Sequence, residues 1–382
     1  MCYNINNSAS AAPASASFSE ITMRTKRKIP IISLSLILIA LILFILYRIG
    51  RGSRAFSDLF ESSISSHLRY LIGSLTNGLS FSLFEVLMLC LPVLIVAVIA
   101  LAVIAFKRRR KALFLVRLCA LASLILSLYV LTTGLSYHTT PVAEKIGLEV
   151  SDEITAEDIK DTASKIIAEI NGLIDSLGYS DGQTRMDYSF GELSQKISEA
   201  YGGFNQEHRL FLDYASVAKP IRASGAMTSL RLSGIYTFYT GEANINMAYP
   251  DYCLPFTVAH ELAHARGVMR EDEANFVAFL VCIGSSDPYV RYSGYLNLLE
   301  YLMSALYKTD ADMYNELLGL LDERVLSDLR EASAVSKKYR NGLIGNLSNK
   351  LNDMYLKANG TAGTASYGMV TGLAVSYYKG SE

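Results

Sequence analysis

Five histidines occur in this 382-residue chain, and two of them, His260 and His264, stand four apart in His260-Glu261-Leu262-Ala263-His264. On a helix that spacing puts both imidazoles on one face, within reach of a single metal ion, and sets Glu261 beside the open coordination position. This is the layout of a zinc hydrolase. In a chain so poor in histidine, the pattern arises by chance in roughly one sequence in a few hundred. The plain alternative is a pair of partly buried, hydrogen-bonded histidines.

A zinc ion that activates water needs a third protein ligand and one open position. The run HELAHARGVMR reaches Arg270 where a metzincin-type site would supply a third histidine, and a guanidinium cannot ligate zinc. Directly after it comes Glu271-Asp272-Glu273-Ala274-Asn275. If a helix begins there, Glu271, Asn275, Ala278 and Cys282 share a narrow arc, while Glu273 points about 200° round. The phase selects Glu271 as third ligand and Asn275, one turn on, as a group that orients a ligand imidazole. Glu273 stays open as the competing ligand, because a helix start misplaced by two residues exchanges the roles. For all these acids the ordinary alternative is dipole complementation at a helix N-terminus, and Asp272 is assigned that role alone. Gly267 suits the end of the first helix, so that a short turn to Arg270 brings the two helices together. Glu261 is then the general base, and the candidate transition-state donors are His208, Tyr239, Arg270, Tyr355 and Tyr367.

The elements that must carry this site belong to a mainly helical region from about residue 137 onward. Ser151 to Leu177 has helical apolar spacing, Gly191 to Ala200 and Glu207 to Val217 are shorter helical candidates, and Tyr289 to Tyr307, Asp312 to Arg324, Leu326 to Tyr355 and Tyr367 to Tyr378 follow. Gly234 to Tyr249 alternates and is rich in aromatic and β-branched residues, which predicts a strand or hairpin, the one good strand signal. Its part around Glu242 to Met247 is a plausible cleft edge for an extended substrate; equally, it is a core strand with Glu242, Asn244 and Asn246 exposed.

The first third has a different character. Residues 1–28, ending in Arg24, Lys26, Arg27 and Lys28, are expected to form a disordered cytoplasmic tail. Three apolar runs, about 29–47, 81–106 and 112–135, are long enough to cross a bilayer and make a membrane region over 29–136. The segment Gly50 to Ser80 is polar enough for a loop, with an amphipathic part from Leu59 to Leu75 against the membrane surface. The cations Lys107 to Lys111 between the second and third runs place that turn and the N-terminus in the cytoplasm, and residues 137–382 outside it. A formal net charge of −1 says nothing about partners, and the lack of a basic domain argues against nucleic acid. The five cysteines lack CxxC spacing; one bridge, Cys253 to Cys282, is conceivable, with buried thiols the alternative.

HELAH followed by EDEAN resembles the glutamate zincins, metallopeptidases with HExxH and a later ExxxD or ExxxN on a second helix. More closely, three N-terminal spans, FSLFE, YTGEANIN before LPFTVAHELAHARG, EDEANF and NDMYLKANG together resemble an uncharacterised bacterial membrane-protein family, a domain of unknown function, over most of residues 30–378. The resemblance implies zincin-like chemistry and no particular substrate. The expected fold is mainly α: three transmembrane helices, then a zincin-like α+β extracytoplasmic domain with a small sheet. The expected function is that of a membrane-anchored zinc metalloendopeptidase acting on peptide or protein segments near the bilayer. The alternative is a non-catalytic, metal-stabilised binding or assembly module at the cell surface.

Overall fold

A computed structural model of the chain describes residues 30–338 and 342–380. The tail 1–28, with its basic flank and Cys2, lies outside the described residues. The first apolar run is α1 (Ile31–Gly50). Where a loop was expected, the chain is helical: α2 (Arg54–Phe60), a π-helical turn over Glu61–Ser65 and α3 (Ser66–Asn77) follow one another without a break. Four polar residues of this stretch, Ser57, Ser65, Arg69 and Thr76, are internal, and Arg69 is only 1% exposed. Leu59, Leu71 and Leu75 remain on the outer face.

Next come α4 (Leu83–Lys107), which tolerates Pro92 inside it, and α5 (Lys111–Thr132). With α1 these make three helices long and apolar enough to cross a membrane, and the protein associates with the membrane through them. α5 lies against both α1 and α4. The three helices meet the globular part at one end. Gly50 at the end of α1 abuts Phe56 and Leu135. The backbone amides of Leu83 and Phe84, which open α4, donate to the Glu242 carboxylate at 2.9 Å each. The Thr132 carbonyl closing α5 accepts from Arg69. At the other end, α4 and α5 are joined through the basic turn Lys107 to Lys111.

The globular part opens with α6 (Val142–Lys145) and α7 (Ala156–Leu173), the latter started by a reciprocal cap between Thr155 and Asp158. A small hairpin follows, β1 (Gly178–Ser180) and β2 (Gln183–Arg185). Then α8 (Phe190–His208) replaces the two short helices expected there. It ends where Arg209 takes a left-handed conformation, and residues 209–217 are irregular, held by the Asn205 side chain bonding both backbone groups of Phe211.

β3 (Ala218–Ile221), α9 (Ser224–Ser229), β4 (Gly234–Thr237) and β5 (Glu242–Asn246) come next. The sheet order is β3-β5-β4, with β5 parallel to β3 and antiparallel to β4. The expected hairpin is therefore present, but β5 is the central strand, flanked on both sides, and cannot be a cleft edge. The alternative with Glu242, Asn244 and Asn246 exposed is also corrected: all three are buried, because the start of α4 covers that face and Ser82 donates to Asn244 at 2.6 Å. β4 is the edge strand on the other side.

Helices α10 (Cys253–Ala265) and α11 (Glu271–Ile283) run through the centre, and α12 (Pro288–Thr309), α13 (Ala311–Leu318), α14 (Glu323–Lys338), α15 (Leu343–Ala358) and α16 (Val370–Gly380) complete the chain. Every residue of α10 except His260, and every residue of α11 except Asp272 and Ile283, is buried. Both helices are apolar on nearly all sides because neighbours cover them all round. One hydrophobic core joins residues from Val142 to Val375 about this pair. Cys253 and Cys282 are buried free thiols, so the conceivable bridge is not formed.

Candidate metal centre

α10 presents His260 and His264 one turn apart, and α11 begins at Glu271 as its phase required. The connecting turn passes through Gly267 at φ +99°, which an L side chain avoids. A side chain there would also strike the Arg69 guanidinium and the Glu61 carboxylate. Those two groups form a buried ion pair, and Ser136 donates to Glu61 at 2.6 Å. The π-helical turn thus ties the region just after α1 to the end of the histidine helix.

The Nε2 atoms of His260 and His264 stand 3.1 Å apart, and Glu271 Oε2 lies 3.3 Å from the first and 3.5 Å from the second. The three residues form a group that could hold a metal ion. Four-coordinate ligands at about 2.0–2.1 Å from an ion are separated by roughly 3.3 Å from one another, which matches the observed triangle. His264 Nδ1 sits 2.7 Å from the Val268 carbonyl. That carbonyl can only accept, so Nδ1 carries the hydrogen and Nε2 of the neutral ring turns a lone pair into the triangle. His260 Nδ1 and Glu271 Oε2 are buried without a hydrogen-bond partner. Two nitrogen atoms and a carboxylate oxygen converging in this way call for a positive charge between them.

The electrostatics agree. Burial pulls the His264 imidazolium down, but the charge of Glu271 outweighs it and lifts the ring to about 9. Burial pushes the Glu271 carboxyl up, yet the two imidazoles hold it far below the ordinary carboxylate range. Glu261, 5% exposed, has its carboxyl raised by burial, against the lowering influence of His260 and His264. It lies against β4: an added Cβ at Gly234 would stand 2.5 Å from Glu261 Oε1, and the Tyr236 backbone amide is alongside.

The other expected residues are placed as follows. Glu273, the alternative ligand, is turned away from the triangle and accepts from Arg270 at 2.7 Å and from the Val142 amide at 2.9 Å. Asn275 donates to the Tyr301 hydroxyl at 3.2 Å and the Tyr367 carbonyl at 3.4 Å. It braces the C-terminal segment against α11, and the Val268 carbonyl, not Asn275, orients an imidazole. Arg270 is engaged by Glu273. Tyr239 is exposed in the turn between β4 and β5. His208 packs on Phe204 at 4.5 Å between ring centroids, on the wall of a cavity of about 1370 Å³ that contains none of the triangle's residues.

Tyr355 and Tyr367 do gather near the triangle. Burial, followed by the Glu271 charge, pushes the Tyr367 phenol well above its ordinary value. Tyr355 and Tyr137 share a hydroxyl contact at 3.3 Å, and the Glu271 charge acts on both. Tyr137, Tyr236, Val268 and Gly234 were not singled out as site residues from the sequence. The first two are lost among 24 tyrosines; Val268 acts through its backbone, and Gly234 by having no side chain.

The chain belongs to the family described as "Protein of unknown function (DUF3810)", whose model matches residues 56–375. No curated protein and no solved structure matches it.

Proposed function

We propose that this protein is a membrane-anchored, zinc-dependent metallopeptidase of the glutamate-zincin type, with its globular part on the extracytoplasmic side. The observation that carries the reading is the convergence of His260, His264 and Glu271 on one point, with Glu261 next to the first ligand and against an edge strand. Two imidazoles and one carboxylate suit zinc, and three protein ligands leave one position open. A zinc ion bound there lowers the pKa of water toward about 7 and polarises a carbonyl.

The remaining chemistry falls to this chain's own groups. Glu261 takes a proton from the attacking water and passes it to the departing amine, a task suited to a carboxyl whose pKa is raised by burial. The outer edge of β4, whose Tyr236 amide bonds Glu261, is the side from which an extended peptide would approach that carboxylate. Tyr367, held by the Asn352 amide at 3.4 Å, is the best-placed phenol to donate to developing negative charge. What supports this orientation is the basic turn Lys107 to Lys111, at the ends of α4 and α5 remote from the globular part, since such cation-rich turns favour the cytoplasmic side.

The test is hydrolysis of a mixed peptide library by the full chain in detergent, wild type against Glu261→Gln. Cleavage that the substitution abolishes supports the reading; equal product from both removes it. The alternative, a metal-stabilised binding or assembly module without catalysis, draws on the burial of the site, whose three ligand side chains are only 9–12% exposed. It predicts that Glu261→Gln changes nothing, while His264→Ala destabilises the fold.

A further inference from the structure

Helix α15 is amphipathic in the reverse sense for a helix packed on a globular domain. Leu343, Ile344, Leu347, Leu351 and Met354 fall within about 100° of arc, and they are 56–87% exposed. On the opposite side Gly345 and Leu356 are buried, so the helix docks through its narrow face and shows its apolar face outward. Among the described residues nothing covers that face.

Both ends of α15 are pinned where membrane helices meet the globular part. At its C-terminal end, Asn359 accepts from the hydroxyl of Tyr129 in the last turn of α5, and the Tyr355 ring lies 6.3 Å from the Tyr129 ring. At its N-terminal end, Arg231 donates to Asn346 at 2.8 Å, and Gly345 lies close to the Ser229 carbonyl. The α9 region that supplies Ser229 and Arg231 packs through Met227 and Leu232 on Phe84 in the first turn of α4. Glu85 of the same turn accepts from the Ala223 amide at 2.6 Å. Sixteen residues at about 1.5 Å each give a rod of roughly 24 Å laid between the ends of two spans.

We propose that α15 lies in the plane of the bilayer surface, with Leu343, Leu347, Leu351 and Met354 in the boundary between headgroups and acyl chains. The partner is lipid because the helix is tied at one end to the last turn of α5 and at the other, through the α9 region, to the first turn of α4. Lys350 and Lys357, both exposed, border the arc, where ammonium groups reach phosphates while their stems stay in the apolar layer. Leu356 on the inner face packs with Met269 and Tyr137, and Met269 is two residues from Glu271. The metal triangle is therefore about one helix thickness from the lipid. The proposal does not depend on the metal chemistry.

The chain contains no tryptophan, so one introduced residue reports alone. The full chain carrying Leu347→Trp or Leu351→Trp is reconstituted in phosphatidylcholine and phosphatidylglycerol vesicles, with and without lipid brominated near the top of the acyl chain. Asn349→Trp, on the polar side of the same helix, and Leu89→Trp, exposed near the start of α4, are the controls. The expected result is that both leucine variants and Leu89→Trp lose about half their emission to the bromines, as side chains about 5–10 Å below the headgroups must, while Asn349→Trp keeps its own. Leucine variants that stay unquenched overturn the proposal, whether their emission is red-shifted by water or blue-shifted by a covering protein surface such as a second copy. Equal quenching at Asn349→Trp overturns the orientation. The substituted positions are exposed, so folding is not at stake.

Discussion

Gly234→Ala isolates the positioning of Glu261 from the binding of metal. The new methyl group would stand 2.6 Å from Glu261 Cγ and 2.9 Å from Cδ, where carbon atoms settle at about 3.5–4.0 Å. Either the carboxylate or β4 must yield by about 1 Å. β4 is held in register, with Gly234 opposite Ile245, and α10 is packed on every side, so the side chain of Glu261 gives way. A displacement of that size costs roughly 100-fold in rate, against about 100- to 10,000-fold for the whole contribution of a general base. Overpacking costs about 1–3 kcal/mol of stability, which leaves a fold of this size standing. His260, His264 and Glu271 are untouched, so metal content is expected to match wild type while library hydrolysis falls about 100-fold. The assay is product formation by mass spectrometry, with metal content measured on the same samples. Activity within about twofold of wild type, or loss of metal together with activity, refutes the reasoning.

Other outcomes follow from buried polar groups. Arg69→Met leaves Glu61 without its counter-charge beneath the turn at Gly267, and is expected to lower stability by about 3–5 kcal/mol. Adding Glu61→Gln should restore much of that loss, read as thermal unfolding in detergent. Glu242→Ala strands the amides of Leu83 and Phe84 at the start of α4 and should cost about 1–3 kcal/mol in the same assay. Burial pushes the Asp328 carboxyl above its ordinary 3.8, despite hydrogen bonds from Thr184 and Tyr292. The folded chain therefore holds that proton more tightly than the unfolded chain, and the contribution is complete below about 3.8 and lost as pH rises through the folded value. Wild type should accordingly gain stability relative to Asp328→Asn as pH falls from about 6 to 4, and a constant difference would contradict this.

The site was legible where chemistry and helical phase coincide. His260 and His264 announce themselves by spacing, and Glu271 emerges from the arc that it shares with Asn275 once a helix begins at residue 271. Both α10 and α11 are apolar on nearly all sides, which fits their burial. The polar stretch from Gly50 to Ser80 reads as a loop because the sequence does not show that Arg69 and Glu61 pair with each other inside the fold. Alternation at Glu242, Asn244 and Asn246 suggested an exposed face, but the start of α4 covers it, a contact between segments some 160 residues apart. β3 is four residues long and contains Pro220, so it carries no periodic signal. The hairpin of β1 and β2 went unread, although Asp181 and Gly182, which take the positive φ angles favoured in such turns, are a turn signal. Gly202 and Gly203 interrupted the sequence pattern without ending α8.

The most direct test is the metal content of the purified full chain and three variants at neutral pH. About one zinc ion per chain is expected in wild type and in Glu261→Gln, with the ion lost from His264→Ala and Glu271→Ala. Zinc-free wild-type protein, or zinc retained in full after Glu271→Ala, would contradict the assignment of the site.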